Sequence, residues 1–372
     1  MSGRFAAPSL VVVKVGSSSL RDPHGHLDQA QVRALSSQVA GLRAEGVQVV
    51  VVSSGAVAAG MGRLGLAQRP TDTPTLQAAA AAGQGALMHA YQQVLDEHGL
   101  TGAQLLLSQD DFVIRRRYLN ARTSLRRLLE LGAVPIINEN DAIATDELTY
   151  GDNDHLAALV ASMLGAQLLI LLSDVEGMLD RPPSEPGATL VPVIDDPDRI
   201  DLERIGGVGS VVGSGGMRTK IGAAQVAVRS GMHVVIADAR RLDVILDAAH
   251  GVDVGTWIVA RESRMEARRL WIAFALRVRG RVRIDAGAAR ALRGGSASLL
   301  GVGVTGCDGD FSAGDAVEIV GPDGDVIARG LAAYDAADVD RLKGLATDTA
   351  VTTLGAGYGR EVVHRDDLAI LG

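Results

Sequence analysis

Residues Pro135–Asp154 read PIINENDAIATDELTYGDND. A short apolar run ending at Ile137 passes directly into amides, carboxylates and a Gly-Asp-Asn-Asp turn, which is a poor recipe for a core. Three of the chain's four asparagines (Asn138, Asn140, Asn153) lie here, with Asn120 just upstream, and Glu139, Asp141, Asp146, Glu147, Asp152 and Asp154 share the same positions. Composition alone allows a solvated acidic loop. Two features point instead to a polar substrate pocket. The stretch starts at a strand's C-terminal end, where open α/β sheets set their ligands. It closes on an apolar helix over 155–165 that Asn153 or Asp154 can cap.

The flanking segments repeat one pattern. Leu10–Val15 (LVVVKV) is an apolar, β-branched run of the kind buried in parallel sheets, and it ends in Gly16-Ser17-Ser18-Ser19, where small residues let a ligand approach. A helix follows over 28–44, with Asp28 as its cap and Gly46 as its stop. A second buried strand covers 47–52 and gives way to Ser53-Ser54-Gly55 and an Ala-rich helix. This is a βαβ unit, hence a mostly parallel sheet with helices on both faces. A helix over 75–98, a strand over 103–107 and a helix opened by Arg115-Arg116-Arg117, read as a solvated or oligomer-facing surface, lead to the fourth strand, 133–137. Gln167–Leu172 is as apolar as the first strand and ends in Ser173-Asp174. Segment 180–200 reads as an exposed excursion. Gly206–Gly216 is glycine-dense and runs into Met217-Arg218-Thr219-Lys220 at a helix start. Strands over 233–236 and 255–259 complete the first domain, 1–262. A charged linker at about 262–273 precedes a small, mostly β domain, 273–372, with one or two helices and strands over 276–284, 316–320 and 326–328.

Lysine is rare: only Lys14, Lys220 and Lys343 stand among 36 basic residues. Where arginine serves everywhere else, a retained lysine suggests that a compact ammonium is required. No Walker A loop occurs, because no Gly-Lys pair exists. The G-x-G-x-x-G fingerprint also fails at 206–216, where Gly213 comes one residue late. Ser214-Gly215-Gly216-Met217-Arg218-Thr219-Lys220 nevertheless offers amides, hydroxyls and an ammonium at a helix N-terminus, the requirements of a phosphate site. Lys14 and Lys220 can then meet a polyphosphate, with Asp154 orienting both. Asp141, Asn153 and Ser54 can hold a small zwitterion, acid to amine, with amide and hydroxyl to carboxylate. A carboxylate acceptor is already ionised at neutral pH and needs no general base.

The ordered series VVVKVGSSSL, VVSSGAVAAG, PIINENDAIAT, GDNDHLAALVA, LLSDVEG and SGGMRTK resembles the glutamate 5-kinases of the amino-acid kinase family over residues 10–260. The run from GAARAL to GDAVEI resembles the PUA domain that such bacterial enzymes carry. The resemblance implies ATP-dependent phosphorylation of the L-glutamate side chain to γ-glutamyl phosphate, the first step towards proline. It gives Lys14, Lys220 and Asp154 catalytic roles and assigns Ser54, Asp141 and Asn153 to glutamate. Lys14, Ser173, Asp174 and Ser214–Lys220 fall to ATP, with Mg2+ carried on the phosphates. It further implies feedback inhibition by L-proline near the glutamate site, onward passage of product to a glutamyl phosphate reductase, and a homo-oligomer. Relatives often have Leu-Tyr where Met178-Leu179 stand, so the adenine contacts are open at that point.

Composition sets bounds. The chain has 372 residues, 47% hydrophobic and 22% charged, ordinary for a globular protein of two domains. A single cysteine, Cys307, excludes an internal disulfide. With no span of about 20 apolar residues and too short an apolar start for a secretory signal, a cytoplasmic address is expected. The net charge of −8 argues against broad nucleic-acid binding. In the second domain Arg277, Arg279, Arg281 and Arg283 alternate along one strand, yet acidic residues outnumber basic ones, which favours a structural or regulatory role over RNA binding. Two alternatives stay open: a related kinase acting on another carboxylate or carbamate, and an RNA-binding PUA protein with a vestigial kinase body.

Overall fold

The computed structural model describes residues 7–108, 110–142, 153–183, 185–200, 216–261, 265, 267–276, 278–295 and 297–371. They fall into two compact units divided after residue 264.

In the first unit β1 (Leu10–Val15), α1 (Gln29–Ala44), β2 (Gln48–Ser53), α2 (Ala56–Leu64), α3 (Thr73–Glu97), β3 (Gly102–Leu107), α4 (Asp110–Val113), α5 (Arg115–Glu130) and β4 (Val134–Glu139) succeed one another. Then come α6 (Asn153–Leu164), β5 (Leu168–Ser173), β6 (Val193–Ile194), α7 (Met217–Arg229), β7 (His233–Asp238), α8 (Val244–Ala249) and β8 (Gly255–Ile258). The sheet runs β3-β4-β2-β1-β5-β7-β8-β6. All its pairs are parallel except β7 with β8, which are antiparallel. The two-residue β6 lies inside the segment expected as an exposed excursion and pairs parallel to β8 at the sheet's edge. Such a short strand has too little pattern to show in sequence.

The central strands are buried throughout because both of their faces are covered. One face sends Val11, Val13 and Val15 of β1, with Val49 and Val51 of β2, against Val32, Leu35 and Val39 of α1, Leu87 and Tyr91 of α3 and Val244 and Ile245 of α8. Side chains alternate along a strand, so Lys14 belongs to the opposite face, where its ammonium meets the start of α6. Asp28 caps α1 by accepting the Gln31 N–H at 3.1 Å.

Two glycines let α2 and α3 touch backbone to backbone. A Cβ at Gly60 would stand 1.8 Å from the Ala79 carbonyl oxygen, and one at Gly83 would stand 1.8 Å from that of Ala56. Gly55, at φ +105°, makes the turn from β2 into α2, a conformation that other residues rarely adopt.

Connectivity sets the site. From β4, on one side of β1, the chain crosses through α6 to β5 on the other side. The N-terminus of α6 therefore arrives at the C-terminal ends of β1, β2 and β5, where the strand order switches direction.

The second unit holds a sheet ordered β10-β9-β11-β12-β13, built from β9 (Val278–Ile284), β10 (Val304–Gly309), β11 (Ala316–Val320), β12 (Val326–Leu331) and β13 (Leu368–Ile370). Helices α10 (Ala286–Arg293), α11 (Ala336–Leu342) and α12 (Thr347–Leu354) exceed the one or two expected, and α9 (Ala267–Leu270) with a π-helical turn at Trp271–Ala275 precedes the sheet. Ile272 and Ala273 pack on Ala369, so this segment belongs to the second unit's interior. Val282, Ile284, Val317, Ile319 and Ile327 form the main core.

Candidate active site

The described site residues stand at the C-terminal ends of β1, β2, β4 and β5 and at the starts of α6 and α7. Asp154 is fully buried in the first turn of α6, where the helix dipole favours a carboxylate. Its Oδ1 lies 2.5 Å from Lys14 Nζ and its Oδ2 3.3 Å from Lys220 Nζ. Both lysines are buried. Burial alone would raise the Asp154 carboxyl, but the Lys14 and Lys220 charges hold it down at about 2. The Thr219 hydroxyl also reaches Asp154 Oδ2, at 3.1 Å, and the Gly216 carbonyl, at 2.8 Å. Among the described residues two buried ammonium groups face one buried carboxylate. Gly16 borders the cluster, and a Cβ there would lie 3.6 Å from Lys14 Nζ and 3.4 Å from the Leu172 carbonyl.

One residue earlier on α6, Asn153 faces the other way. Its Nδ2 donates to Ser54 Oγ at 2.7 Å and to Asn138 Oδ1 at 3.1 Å. Neither Asn153 nor Asp154 caps α6, as expected from sequence; both lie inside its first turn, and their side chains turn to β1, β2 and β4. The orientation of these amides follows from one donor-only group. The Glu139 N–H donates to Asn138 Oδ1 at 2.9 Å, so that atom is an acceptor. The atom of Asn153 facing it must therefore be the NH2. That NH2 fills a lone pair of Ser54 Oγ and leaves the Ser54 hydrogen to give. Among the described residues Asn153 Oδ1 and Asn138 Nδ2 are buried without a partner. The clamp thus shows a ligand an acceptor on Asn153 and a donor on Ser54. In this arrangement both Asn153 amide hydrogens are engaged, so Asn153 offers its oxygen where the sequence reading has its amide donate to a substrate carboxylate.

Asp141 stands in the turn after β4. Burial raises its carboxyl above the ordinary range, and the Arg69 charge partly opposes this. Ser173 ends β5, buried, and its hydroxyl donates to Asp174 Oδ1 at 3.2 Å, while Asp174 itself is exposed. Met217 and Thr219 are half-buried at the start of α7, and Arg218 is exposed. Ser214 and Gly215 lie outside the described residues, as do Asp146, Glu147, Asp152 and Arg277. Met178 is buried, and its N–H donates to Thr256 Oγ1 at 2.8 Å. Sequence reasoning did not single out Thr219 as a partner of Asp154. Sequence reasoning also gives Asn138 no role of its own, although the cluster of asparagines is a visible signal for one.

Two lysines joined through a buried aspartate, the start of α7 and a polar cluster on the adjoining residue thus lie side by side at one end of the sheet. The amino acid kinase family profile matches residues 9–238. The chain belongs to the amino acid kinase family. A PUA domain profile matches residues 280–351. Similar proteins within the amino acid kinase family include the glutamate 5-kinase of Bifidobacterium animalis subsp. lactis, 47% identical over 98% of this chain and 97% of that protein. The glutamate 5-kinase of Marinomonas sp. is 47% identical with both chains covered completely, and that of Salinispora arenicola is 46% identical, again over both whole chains. Among the described residues no helix is long and apolar enough to cross a membrane.

Proposed function

We propose that this protein is a glutamate 5-kinase, transferring the γ-phosphoryl group of ATP to the side-chain carboxylate of L-glutamate to give γ-glutamyl phosphate, the first step of proline biosynthesis. The observation that carries this reading is the division of labour on one turn of α6. Asn153 serves a polar clamp and Asp154 a pair of lysines, so acceptor and phosphoryl donor are held on adjoining residues.

Asn153 Oδ1 and Asp141 receive the glutamate ammonium, and the Ser54 hydroxyl donates to the α-carboxylate. The side-chain carboxylate, ionised at neutral pH, then attacks the γ-phosphorus. An O–P bond forms to glutamate, the bond to the β-phosphate bridging oxygen breaks, and ADP leaves. No side chain must take a proton. Catalysis is therefore positioning plus charge, supplied by Lys14 and Lys220, with Asp154 holding both ammoniums in place. Ser173, Asp174 and the stretch Ser214–Lys220 line the nucleotide side. Magnesium would accompany ATP, held largely through its phosphates, and would offset part of the charge on the group being transferred.

Proline, a small zwitterion with the same ammonium and carboxylate chemistry, is the inhibitor this clamp suits. A labile acyl phosphate favours direct passage to a glutamyl phosphate reductase in the cytoplasm. Exposed Ile114, Leu119 and Leu131 in and beside α5 support a homo-oligomer. In the second unit two of the three exposed arginines of β9 are paired with acids: Arg281 with Glu318 at 3.1 Å, and Arg283 with Asp308. This supports a structural or regulatory role for the PUA unit over RNA binding. Relatives of full length that are named glutamate 5-kinase leave the other carboxylate and carbamate acceptors without support.

Hydroxylamine trapping tests the proposal. Full-length protein with ATP, magnesium and L-glutamate should yield γ-glutamyl hydroxamate in step with ADP. ADP release without hydroxamate would refute it.

A further inference from the structure

Ser53 is wholly buried at the end of β2, and its Oγ lies 2.9 Å from the phenolic oxygen of Tyr91 and 2.9 Å from the Ser54 carbonyl oxygen. Tyr91 is buried in α3, on the sheet face opposite α6. Neither hydroxyl belongs to the site described above.

The protons here can be assigned. A carbonyl only accepts, so the single Ser53 hydrogen goes to the Ser54 oxygen, and Tyr91 must donate to Ser53 Oγ. Burial pushes the Tyr91 phenol up to about 12, against the opposing bond with Ser53, so it stays a donor through the working pH range. The Ser54 N–H is held as well, donating to the Val15 carbonyl at 3.1 Å. Both polar atoms of the Ser54 backbone are thus fixed just before Gly55 turns the chain into α2. Successive strand residues point to opposite faces. Hence Ser53 is gripped from the α3 layer while Ser54 emerges on the α6 layer, 2.7 Å from Asn153 Nδ2. The backbone contact of α2 and α3 at Gly60 and Gly83 leaves α3 no slack to move away.

We infer that Tyr91 is a positioning residue for acceptor binding: through Ser53 it sets the Ser54 peptide, and so aims the Ser54 hydroxyl and its bond with Asn153 at the substrate. The inference rests on the glutamate-kinase reading for the identity of that substrate, but its geometry does not. A tyrosine on an apolar helix face would ordinarily serve as core filling. Here its hydroxyl meets the residue that precedes the clamp, and the lysine–Asp154 cluster is not in its path. The acceptor and nucleotide sides should therefore respond differently to its loss.

The test is a kinetic cycle on the full-length protein with Tyr91→Phe, Ser53→Ala and the double variant, joined by a ligand-free crystal structure of Tyr91→Phe. Tyr91→Phe should raise KM for glutamate about three- to tenfold, the loss of roughly one net hydrogen bond, with KM for ATP within about twofold of wild type. In the Ser53→Ala background the Phe substitution should raise KM for glutamate no further, because Tyr91 acts only through Ser53. The crystal structure should show the Ser54–Asn153 bond broken or Ser54 rotated. If Ser53→Ala alone folds poorly because it leaves the Tyr91 hydroxyl buried and unpaired, the double variant, which removes that hydroxyl, should recover stability and keep the raised KM. An unchanged KM for glutamate, equal rises in both KM values, or additive effects in the cycle would overturn the inference. Should wild-type protein turn over no glutamate, the proposed function falls, and an unmoved Ser54 in the Tyr91→Phe crystal would by itself overturn this inference.

Discussion

Asp154→Asn is the perturbation that exposes the logic of the buried charges. The carboxylate is inaccessible and shared by Lys14 and Lys220, which are 4% and 3% exposed. Among the described residues two positive charges face one negative. The Lys14 and Lys220 charges outweigh burial and bring the Asp154 carboxyl from 3.8 to about 2. At about 1.4 kcal/mol per pK unit, its ionised form contributes on the order of 2–3 kcal/mol to folding. The sign follows from the lowered value: the contribution is complete above 3.8 and is lost as pH falls through about 2. Asparagine stands for the neutral acid, so that stability goes, and two buried ammoniums lose the carboxylate they share. Removing one partner of a buried pair costs about 3–5 kcal/mol, and the thermal midpoint of the first unit should fall by several degrees. Lys220→Met works the other way. It removes one of the two ammoniums facing Asp154 and puts an unbranched side chain of similar reach in its place, so its stability cost should stay under about 1.5 kcal/mol, while turnover drops at least about 100-fold. Combining the two should recover part of the stability lost in Asp154→Asn, with no return of activity. Calorimetry at neutral pH with parallel ADP-release assays reads all three. The reasoning fails if Asp154→Asn unfolds within about 0.5 kcal/mol of wild type, or if Lys220→Met is destabilised as much as Asp154→Asn.

Further predictions follow from the same geometry. Gly83→Ala forces a methyl to 1.8 Å from the Ala56 carbonyl and should cost about 3 kcal/mol or more; Gly85→Ala, two residues along α3 with open space around it, should be neutral or stabilising by up to about 1 kcal/mol. Equal denaturation curves for the two would contradict the helix contact. Asp141 is raised by burial, so its charge opposes folding at neutral pH. Asp141→Asn should stabilise the free protein there, with the advantage vanishing as pH falls through the ordinary carboxylate range, yet KM for glutamate should rise at least about tenfold. A destabilised variant would refute that placement. Asn153→Asp replaces the NH2 with an oxygen facing Asn138 Oδ1, so KM for glutamate should rise by about 100-fold with KM for ATP little changed; isothermal titration of each ligand separately would show whether the loss is confined to the acceptor.

How much of this was legible in sequence varies by element. β1, β2 and β5 announce themselves because both faces are covered and their runs are unbroken by polar residues apart from Lys14. The two site lysines stand out only because arginine fills nearly every other cationic position. GDND ahead of an apolar helix already sets Asn153 and Asp154 to different tasks in the sequence reading, and consecutive residues on α6 do diverge, Asp154 to the lysines and Asn153 to Ser54 and Asn138. The polarity of Asn153 depends on the Glu139 N–H, a backbone group invisible in a string of letters. Tyr91 is hidden for a different reason: within an amphipathic helix its hydroxyl carries no periodic signature. β6 is too short to register, and its partner β8 lies about 60 residues later. In the second unit β10 carries Gly306, Cys307 and Gly309, which break the alternation that marks a strand.

The central claim is that α6 holds an acceptor clamp and a phosphoryl cluster on adjoining residues, and that the clamp is built for glutamate. Initial rates of ADP formation by the full-length protein, with L-glutamate, L-aspartate and N-acetyl-L-glutamate offered separately at equal concentration, test it most directly. The account predicts turnover with glutamate and at least about a tenfold lower kcat/KM with the other two, because aspartate is a methylene short and acetylation removes the ammonium that Asn153 Oδ1 and Asp141 accept. Equal rates with all three, or faster turnover of N-acetyl-L-glutamate, would contradict it.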